Sequence, residues 1–300
     1  VRTELSFPPK GMTLCIRDLY RTKKLGISFE VFPPKTERGF EALYATSGQL
    51  AEYKPVFISG TYGAGGSTAK KTLEMLDEIR RRYQVPVTAH FTCVGSTLQD
   101  IREWLTKATY FGIENIMALR GDPPHGAEHF VQTPGGLSHA NELVALIKRE
   151  FPHFGIGVAG YPETHREAPS PEADLLSLKQ KVDAGADAIF TQLFFENEDF
   201  FRFRDRCERL KINVPIIPGL LPALSLTQVS RVTELCSARL PDRLREQLTA
   251  HEGDPAAQVQ VGIEYAARQC EGLIKAGVPG IHFYVLNRSD TTRSILERLA

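Results

Sequence analysis

The amino-acid sequence predicts an α/β protein, a closed (β/α)8 TIM barrel built as a single domain. Eight short segments rich in Val, Ile and Phe recur along the chain, as expected for parallel strands buried on both faces. Amphipathic segments with apolar residues at every third or fourth position separate them, as expected for helices. Eight such units in 300 residues favour a closed barrel over a doubly wound open sheet, which is the alternative fold.

The predicted strands are the apolar segments taken in chain order. They cover residues 27–32, 56–62, 85–93, 115–121, 155–162, 188–194, 215–222 and 281–287. Helical patterns fill the intervals, and the long interval 224–277 is predicted to hold two helices. We therefore divide the chain into an N-terminal extension or helix, residues 1–26, and the barrel, residues 27–300.

Charge and cysteine content limit the class of protein. Lys and Arg number 36, as do Asp and Glu, so no basic surplus indicates a nucleic-acid partner. No apolar run approaches the roughly 18 residues of a membrane span. The five cysteines form no C-x-x-C pair, and an odd, dispersed set is typical of reduced thiols in the cytoplasm. We expect a cytoplasmic homo-oligomer without membrane or nucleic-acid partners.

Polar side chains mark the ends of the predicted strands, where TIM barrels carry their active sites. Seven of the eight strand ends have them: Glu30, Thr61, Tyr62, His90, Arg120, Asp122, Tyr161, Gln192, Tyr284 and Arg288. Packing explanations stay open for the tyrosines, for His90 as a core histidine, and for Arg120 with Asp122 as a local ion pair. A carboxylate among apolar residues is rarely buried without a function, so Glu30 indicates an enzyme most strongly.

Several reaction classes are disfavoured by the residues present. No predicted strand ends in a lysine, which a Schiff-base aldolase needs inside the barrel. The eight histidines form neither an H-x-H nor an H-E-x-x-H pattern, so no metal site is predicted. The sequence lacks a Walker A motif, and the glycine-rich segment 63–68 does not complete the G-x-G-x-x-G pattern of dinucleotide-binding folds.

Nine short motifs occur in a fixed order along the chain. They are SFEVFPPKT, TYGAGG, AHFTC, ALRGDPP, VAGYPETH, EADLLSLKQKVDAGAD, TQLFFE, IIPGLLP and HFYVLNR. Together they resemble the methylenetetrahydrofolate reductase family in its bacterial form, which has the catalytic barrel only. The resemblance implies a flavoprotein barrel that binds FAD. It also implies reduction of 5,10-methylenetetrahydrofolate to 5-methyltetrahydrofolate with electrons from NADH or NADPH, a step that feeds methionine synthesis.

The resemblance assigns roles to individual residues. Glu30 corresponds to the general acid, and Asp122 corresponds to a carboxylate beside the flavin that also meets the pterin. Ser177 and Gln180 stand where many bacterial members have Asn and Arg near the FAD. The other positions that match FAD contacts are Tyr62, Ala64, His90, Arg120, Gly121, Ala140, Tyr161, His165, Ala168, Asp174 and Lys181.

The same resemblance implies a site shared by the electron donor and the folate. Thr61 and Gln192 match positions on the nicotinamide side. Gln192, Gln228 and Arg288 match folate contacts, and Tyr284 lies beside them. Val232 stands where some members place a Phe that stacks on the nicotinamide. Because both ligands need one flavin face, they are expected to take turns there, which predicts ping-pong kinetics.

The apolar strand around Glu30 predicts how it would act as an acid. An exposed Glu has a pKa of about 4.3 and is ionised at neutral pH. Burial raises that pKa, and a like charge on Asp122 would raise it further, so we expect the pKa of Glu30 to lie nearer the working pH. Two other functions stay open. One is a flavin barrel that oxidises a secondary amine, similar to proline dehydrogenase, and the other is a catalytically silent barrel that serves as a scaffold.

Overall fold

The computed structural model describes residues 15–20, 25–62, 66–122 and 130–299, with the backbone alone over 66–70. Ala64, one of the predicted FAD contacts, lies outside these residues. So does much of the predicted N-terminal extension, namely residues 1–14 and 21–24.

Parallel strands form the wall of a barrel. In chain order they are β1 (Gly26–Val31), β2 (Phe57–Gly60), β3 (Val87–Thr92), β4 (Asn115–Leu119), β5 (Gly155–Gly160), β6 (Ala188–Thr191), β7 (Ile216–Ile217), β8 (Gly219–Leu220) and β9 (Gly280–Tyr284). They pair side by side in the order β7-β6-β5-β4-β3-β2-β1-β9-β8. Every pair is parallel, which confirms the predicted TIM barrel.

The barrel closes through the segment predicted as one strand over 215–222. That segment is two short strands, β7 and β8, separated by Pro218. Proline has no N–H to donate, so the ladder is interrupted there. Its carbonyl still accepts the N–H of His282 at 2.9 Å. As a result β7 pairs with β6, and β8 pairs with β9. The chain from β7 through Pro218 to β8 therefore connects the two ends of the sheet.

Helices surround the barrel. They are α1 (Ile16–Leu19), α2 (Glu37–Ala51), α3 (Gly66–Tyr83), α4 (Leu98–Tyr110), α5 (Ala140–Glu150), α6 (Pro171–Asp183), α7 (Asn197–Arg209), α8 (Leu226–Cys236), α9 (Asp242–Thr249), α10 (Pro255–Lys275) and α11 (Asp290–Leu299). The prediction of two helices over 224–277 was wrong, because this interval holds three. Pro241 and Pro255 each start a new helix there, at the N-cap of α9 and the first turn of α10.

The short helix α1 covers the amino-terminal end of the barrel. Ile16, Leu19 and Tyr20 pack against Phe57 and Phe190 inside the barrel in one buried cluster. Two glycines let the Tyr20 ring approach the strands. A Cβ on Gly26 or Gly280 would lie 2.8 Å or 2.5 Å from that ring, closer than real side chains come. Among the helices that the structure describes, none is long and apolar enough to cross a lipid bilayer.

Candidate active site

The carboxyl ends of the strands surround a cavity of about 1850 Å³. Helices α6 and α8 complete its wall. Most residues predicted for the site lie on this wall: Glu30, Tyr62, His90, Arg120, Gly121, Asp122, Ala140, Tyr161, His165, Ala168, Asp174, Ser177, Gln180, Lys181, Gln192 and Tyr284. The βα connectivity therefore brings residues from distant parts of the sequence to one end of the barrel, as the position of active sites in this fold requires.

Three predicted site residues do not line this cavity: Thr61, Gln228 and Arg288. The Thr61 carbonyl accepts a hydrogen bond from the side chain of Thr72 at 3.2 Å. The Gln228 Oε1 accepts the N–H of Leu224 at 3.0 Å, while its buried amide nitrogen has no partner among the described residues. Arg288 is exposed. Their roles in binding stay predictions.

Glu30 lies at the end of β1 between two histidines. Its Oε2 is 3.3 Å from His90 Nε2 on β3 and 3.5 Å from His282 Nε2 on β9. The His90 contact is a close approach of charge without hydrogen-bond geometry, because Nε2 of this buried ring has no hydrogen-bond partner among the described residues. The carboxylate therefore meets two imidazoles instead of the purely apolar surroundings that its own strand indicates.

The expectation of a raised pKa for Glu30 is wrong in this structure. Burial alone would raise the pKa, but positive charge on His90 and the hydrogen bond and charge of His282 outweigh it, so the pKa is lowered. Asp122 is exposed and is not among the groups that shift this pKa. Burial also lowers the pKa of His90, with the Glu30 carboxylate acting in the opposite direction. In this arrangement Glu30 is a carboxylate whose hydrogen-bond partner is His282 Nε2.

A chain of polar groups leads from Glu30 toward the amino-terminal end of the barrel. Ser28 Oγ is 2.8 Å from His282 Nδ1 and 3.0 Å from the Tyr20 hydroxyl. All three side chains are buried. Ser28 and His282 were not among the predicted site residues. Alternation could have identified them, because each lies two positions before a predicted residue on its strand, Glu30 or Tyr284, and so faces the same side.

Arg120 and Lys181 are the cations that were expected to meet the FAD pyrophosphate. The Arg120 guanidinium is held by both carboxylate oxygens of Glu167, at 2.7 Å and 2.9 Å. Glu167 lines the same cavity and was missed by the sequence analysis, since it lies in a loop far from Arg120 in sequence. Lys181 is partly buried and donates to the Ala159 carbonyl at 2.6 Å. Burial lowers its pKa to about 8, while Asp174 acts to raise it.

Two further side chains of the cavity bond to nearby backbone. The Gln192 Oε1 accepts the N–H of Leu193 at 2.9 Å. The Tyr284 hydroxyl donates to the Thr191 carbonyl at 2.7 Å. Because the Gln192 oxygen is occupied in this way, its amide nitrogen is the group left to meet a ligand.

Helix α8 supplies an apolar wall of the cavity, of which the sequence analysis named Val232 alone. Leu235 and Cys236 line it together with Val232. Leu235 is 61% exposed, which is unusual for a large apolar side chain. After the helix ends at Ser237, which has a left-handed φ of 53°, the Arg239 N–H is held by Glu163 at 3.0 Å. That bond ties the end of α8 to the loop after β5.

Comparison with known proteins identifies the family. Residues 15–300 match the sequence profile of methylenetetrahydrofolate reductase. The 5,10-methylenetetrahydrofolate reductase of Escherichia coli (strain K12) is 37% identical over 276 residues, covering 92% of this chain and 91% of the bacterial protein. This chain belongs to the methylenetetrahydrofolate reductase family. The resemblance found in the nine motifs is thereby confirmed.

Other similar proteins of the reductase family are longer. The methylenetetrahydrofolate reductase (NADH) 1 of Arabidopsis thaliana is 37% identical over 294 residues, covering 95% of this chain. This chain spans about half the length of the plant relatives it matches. A Clostridium thermocellum protein solved with two bound copies of 5-methyl-5,6,7,8-tetrahydrofolic acid shares the fold, with a TM-score of 0.62. It is 17% identical, and the match covers 94% of this chain and 97% of that one.

The cavity of this reductase-family chain has the groups that an FAD would need. Arg120 and Lys181 place two cations on the wall, and His90 presents a buried ring nitrogen without a hydrogen-bond partner among the described residues. Asp174 accepts the N–H of His165 at 3.0 Å, which orders the loop between them. A metal site has no comparable support, because no cluster of three His, Cys, Asp or Glu residues suited to a metal occurs in the part of the chain that the structure describes.

Proposed function

We propose that this family member reduces 5,10-methylenetetrahydrofolate to 5-methyltetrahydrofolate with electrons from NADH or NADPH and with FAD as its cofactor. The observation that carries the proposal is Glu30, a partly buried carboxylate that lines the large cavity and lies 3.3 Å and 3.5 Å from two histidines. A catalytically silent scaffold has no need for that arrangement. The names of the plant relatives favour NADH as the donor.

FAD, when bound, supplies hydride transfer between the nicotinamide and the folate carbon. Arg120 and Lys181 are the residues that we expect to neutralise its pyrophosphate. We expect Asp174 to accept ribose hydroxyls, and an Asp122 carboxylate beside the flavin would disfavour additional negative charge on the ring. For Arg120 this role requires sharing its guanidinium between the phosphate and Glu167, its bidentate partner in this structure.

Glu30 supplies the proton that opens the folate ring. The substrate holds its one-carbon unit between two nitrogens of a five-membered ring, and the saturated carbon does not accept hydride directly. Transfer of the Glu30 proton to the aryl-amine nitrogen lets the bond between that nitrogen and the carbon break, with the electron pair staying on the nitrogen. The remaining iminium carbon accepts the hydride, and Glu30 is left as a carboxylate next to His282 Nε2.

The lowered pKa of Glu30 means that its acid form must be produced when ligands bind. Folate in the cavity displaces water from the carboxylate, and this desolvation favours the neutral form. Proton uptake by Glu30 is therefore expected to accompany folate binding. General acid catalysis then operates within the closed complex, where it is typically worth about 10²–10⁴-fold.

Donor and folate are expected to alternate at one place. Gln192 lies on the cavity wall with its amide nitrogen free of the backbone bond that occupies its oxygen. An amide can serve a nicotinamide carboxamide in one half-reaction and a pterin in the other. Ping-pong kinetics follow from this shared site. We place the enzyme in the cytoplasm as a homo-oligomer that supplies methyl groups for methionine synthesis.

Anaerobic stopped flow on the holoenzyme tests the proposal. The bound flavin is first reduced with NADH and is then mixed with 5,10-methylenetetrahydrofolate while its absorbance is followed. We expect reoxidation of the flavin together with formation of 5-methyltetrahydrofolate. A protein that binds FAD and is reduced by NADH, yet is not reoxidised by the folate, would favour the secondary-amine oxidase. A protein that takes up no FAD would favour the scaffold.

A further inference from the structure

Tyr20 ends the buried polar chain that starts at Glu30. It follows α1 directly, at the amino-terminal end of the barrel, and its hydroxyl is 3.0 Å from Ser28 Oγ. The rings of Phe57 and Phe190 lie edge-on to it, with centroids 6.5 Å and 6.0 Å away. In the part of the chain that the structure describes, Ser28 is the hydrogen-bond partner of this hydroxyl.

These surroundings fix which atom donates in the first bond. Burial raises the pKa of Tyr20 far above its ordinary value, so the hydroxyl keeps its proton. Among the residues that the structure describes, Ser28 Oγ is the hydrogen-bond partner of the hydroxyl, so its proton points to Ser28 Oγ. A buried donor left without an acceptor loses its bond to water and gains nothing in return. Tyr20 therefore donates to Ser28.

The direction of the next two bonds follows from the first. The Ser28 hydroxyl has one proton, and with its oxygen accepting from Tyr20 it donates that proton to His282 Nδ1, 2.8 Å away. Since Nδ1 accepts, the proton of the neutral ring resides on Nε2. Nε2 is the atom that faces Glu30 Oε2 at 3.5 Å. A chain running the opposite way would turn a bare nitrogen toward the carboxylate.

We propose that Tyr20 is a positioning residue that fixes the tautomer of His282, so that an N–H and not a lone pair faces Glu30. Through this chain of hydrogen bonds, the residue that follows α1 at the amino-terminal end of the barrel influences Glu30 at the carboxyl ends of the strands. Tyr20 is not among the residues that line the cavity. Its effect on rate, though not its effect on the tautomer, rests on the function proposed above.

The tautomer determines how easily Glu30 holds a proton. An N–H from His282 stabilises the carboxylate, both before the reaction and after the proton has gone to the folate. Without the Tyr20 hydroxyl, Ser28 can accept from Nδ1–H, and the bare Nε2 then favours a protonated Glu30. The titratable groups that act on Glu30 are His90 from β3 and His282 and Tyr284 from β9. Tyr20→Phe replaces none of these side chains and keeps the packed ring, so any change in Glu30 has to come through the His282 tautomer.

Nitrogen NMR of histidine-labelled holoenzyme tests the tautomer directly. The resonances of His282 are identified by their loss in His282→Asn. In the wild type we expect an unprotonated Nδ1 and a protonated Nε2, and in Tyr20→Phe a mixture or a reversal of these. Ser28→Ala breaks the chain at the next link and should also remove the preference, which provides a second test if Tyr20→Phe does not fold.

Tyr265→Phe is the matched control. Its hydroxyl is also partly buried and hydrogen-bonded, to the Phe195 carbonyl at 3.2 Å and to Glu196, but it has no link to Glu30. This variant should leave the His282 tautomer unchanged. A wild-type His282 with its proton on Nδ1, or a tautomer that Tyr20→Phe leaves as in the wild type, overturns the proposal.

The folate half-reaction provides the second readout. Its rate should fall with rising pH as Glu30 loses its proton. The midpoint of that fall should move to higher pH in Tyr20→Phe, by about half a unit or more, because the acid form is favoured. Reduction of the flavin by the donor should not change. If Tyr20→Phe changes the tautomer but the wild-type enzyme reduces no folate, the proposed function is refuted and the role of Tyr20 stands. If folate reduction is normal and the tautomer is unchanged in Tyr20→Phe, only the role of Tyr20 is refuted.

Discussion

Ser28 and His282 lie 254 positions apart in sequence, yet Ser28 Oγ is 2.8 Å from His282 Nδ1. They are register partners on β1 and β9, the two strands that pair where the chain returns to its first strand. Both side chains point into the barrel at the same level. Pairing of β1 with β9, which closes this side of the barrel, therefore also brings His282 to Glu30. A barrel that failed to pair β1 with β9 would leave Glu30 without its His282 partner.

The Arg120–Glu167 pair predicts that FAD affinity is limited, because Glu167 and the FAD pyrophosphate compete for the Arg120 guanidinium. Glu167→Gln removes the charge that holds the guanidinium and leaves Arg120 available to the pyrophosphate. Partly exposed ion pairs are worth about 1 kcal/mol or less, so we expect FAD to bind up to about fivefold more tightly. Equilibrium titration of the apoprotein with FAD measures this.

Glu172→Gln is the control for the Glu167 experiment. Glu172 is an exposed carboxylate in the first turn of α6, outside the Arg120 pair. Its loss should change FAD affinity by less than twofold. If both variants tighten binding equally, the effect is one of general charge and the exchange of Arg120 between Glu167 and phosphate is refuted.

Partly buried Lys181 predicts a loss of folding stability that accompanies its proposed role in FAD binding. Its pKa falls from 10.5 to about 8 in the folded protein because burial penalises the charged form. Between these two values the unfolded chain binds more protons than the folded one, so this group makes stability rise with pH through that window. Below pH 8 the full penalty applies, at most roughly 3 kcal/mol.

Lys181→Met should therefore increase the free energy of unfolding at pH 7, while weakening FAD binding. The gain should shrink as the pH rises from 8 toward 10.5, because the wild-type lysine becomes neutral in the folded state. Urea unfolding of the apoprotein at several pH values measures it. Lys179→Met, on the same helix in an exposed ion pair with Asp183, should change stability little. Destabilisation of Lys181→Met at pH 7 would show that the Ala159 hydrogen bond outweighs the burial penalty.

Asp122 predicts a change in the flavin potential. Asp122→Asn removes a negative charge that we propose to lie near the flavin ring, so the bound flavin should be easier to reduce, and its potential more positive. Reduction by NADH should be retained or become faster, whereas transfer to the folate should slow. Spectroelectrochemical titration of the holoenzyme measures the potential. Glu103→Gln, at another exposed carboxylate of the cavity wall, is the control. An unchanged or more negative potential in Asp122→Asn contradicts the role of Asp122.

The amide nitrogen of Gln192 predicts a defect in both half-reactions. Gln192→Glu keeps an oxygen that can accept the Leu193 N–H, and it replaces the nitrogen with a second oxygen. The variant thus removes the N–H donor that we propose to meet both ligands. Loss of a buried hydrogen-bond partner costs about 1–3 kcal/mol, or roughly tenfold to a hundredfold in each dissociation constant. Dissociation constants for NADH and folate within twofold of the wild type, with FAD bound, would assign Gln192 to the scaffold.

The barrel could be predicted from sequence because buried parallel strands are recorded locally, as apolar runs between amphipathic helices. The break at Pro218 was also readable in principle, since proline cannot continue a ladder. Strand ends then located eight residues of the cavity wall, including Glu30, His90 and Gln192. The three helices after β8 were harder, because Pro241 and Pro255 mark helix starts only once the intervening chain is known to turn.

The electrostatics of the site could not be predicted in the same way. The pKa of Glu30 depends on His90 and His282, which reach it across the barrel from β3 and β9. Its own strand shows only apolar neighbours, and these led to the wrong sign. The Arg120–Glu167 pair likewise joins a strand end to a loop 47 residues later. Contacts of this kind depend on closure of the barrel and leave no local pattern.

The central claim is that Glu30 is the acid that opens the folate ring. Anaerobic stopped flow on Glu30→Gln tests it most directly, with each half-reaction measured separately on FAD-loaded protein. The account predicts that the variant binds FAD and is reduced by NADH at the wild-type rate, while reoxidation by 5,10-methylenetetrahydrofolate slows by about 10²–10⁴-fold. Slowing of less than tenfold, or a loss of reduction by NADH with folate reduction intact, would contradict it.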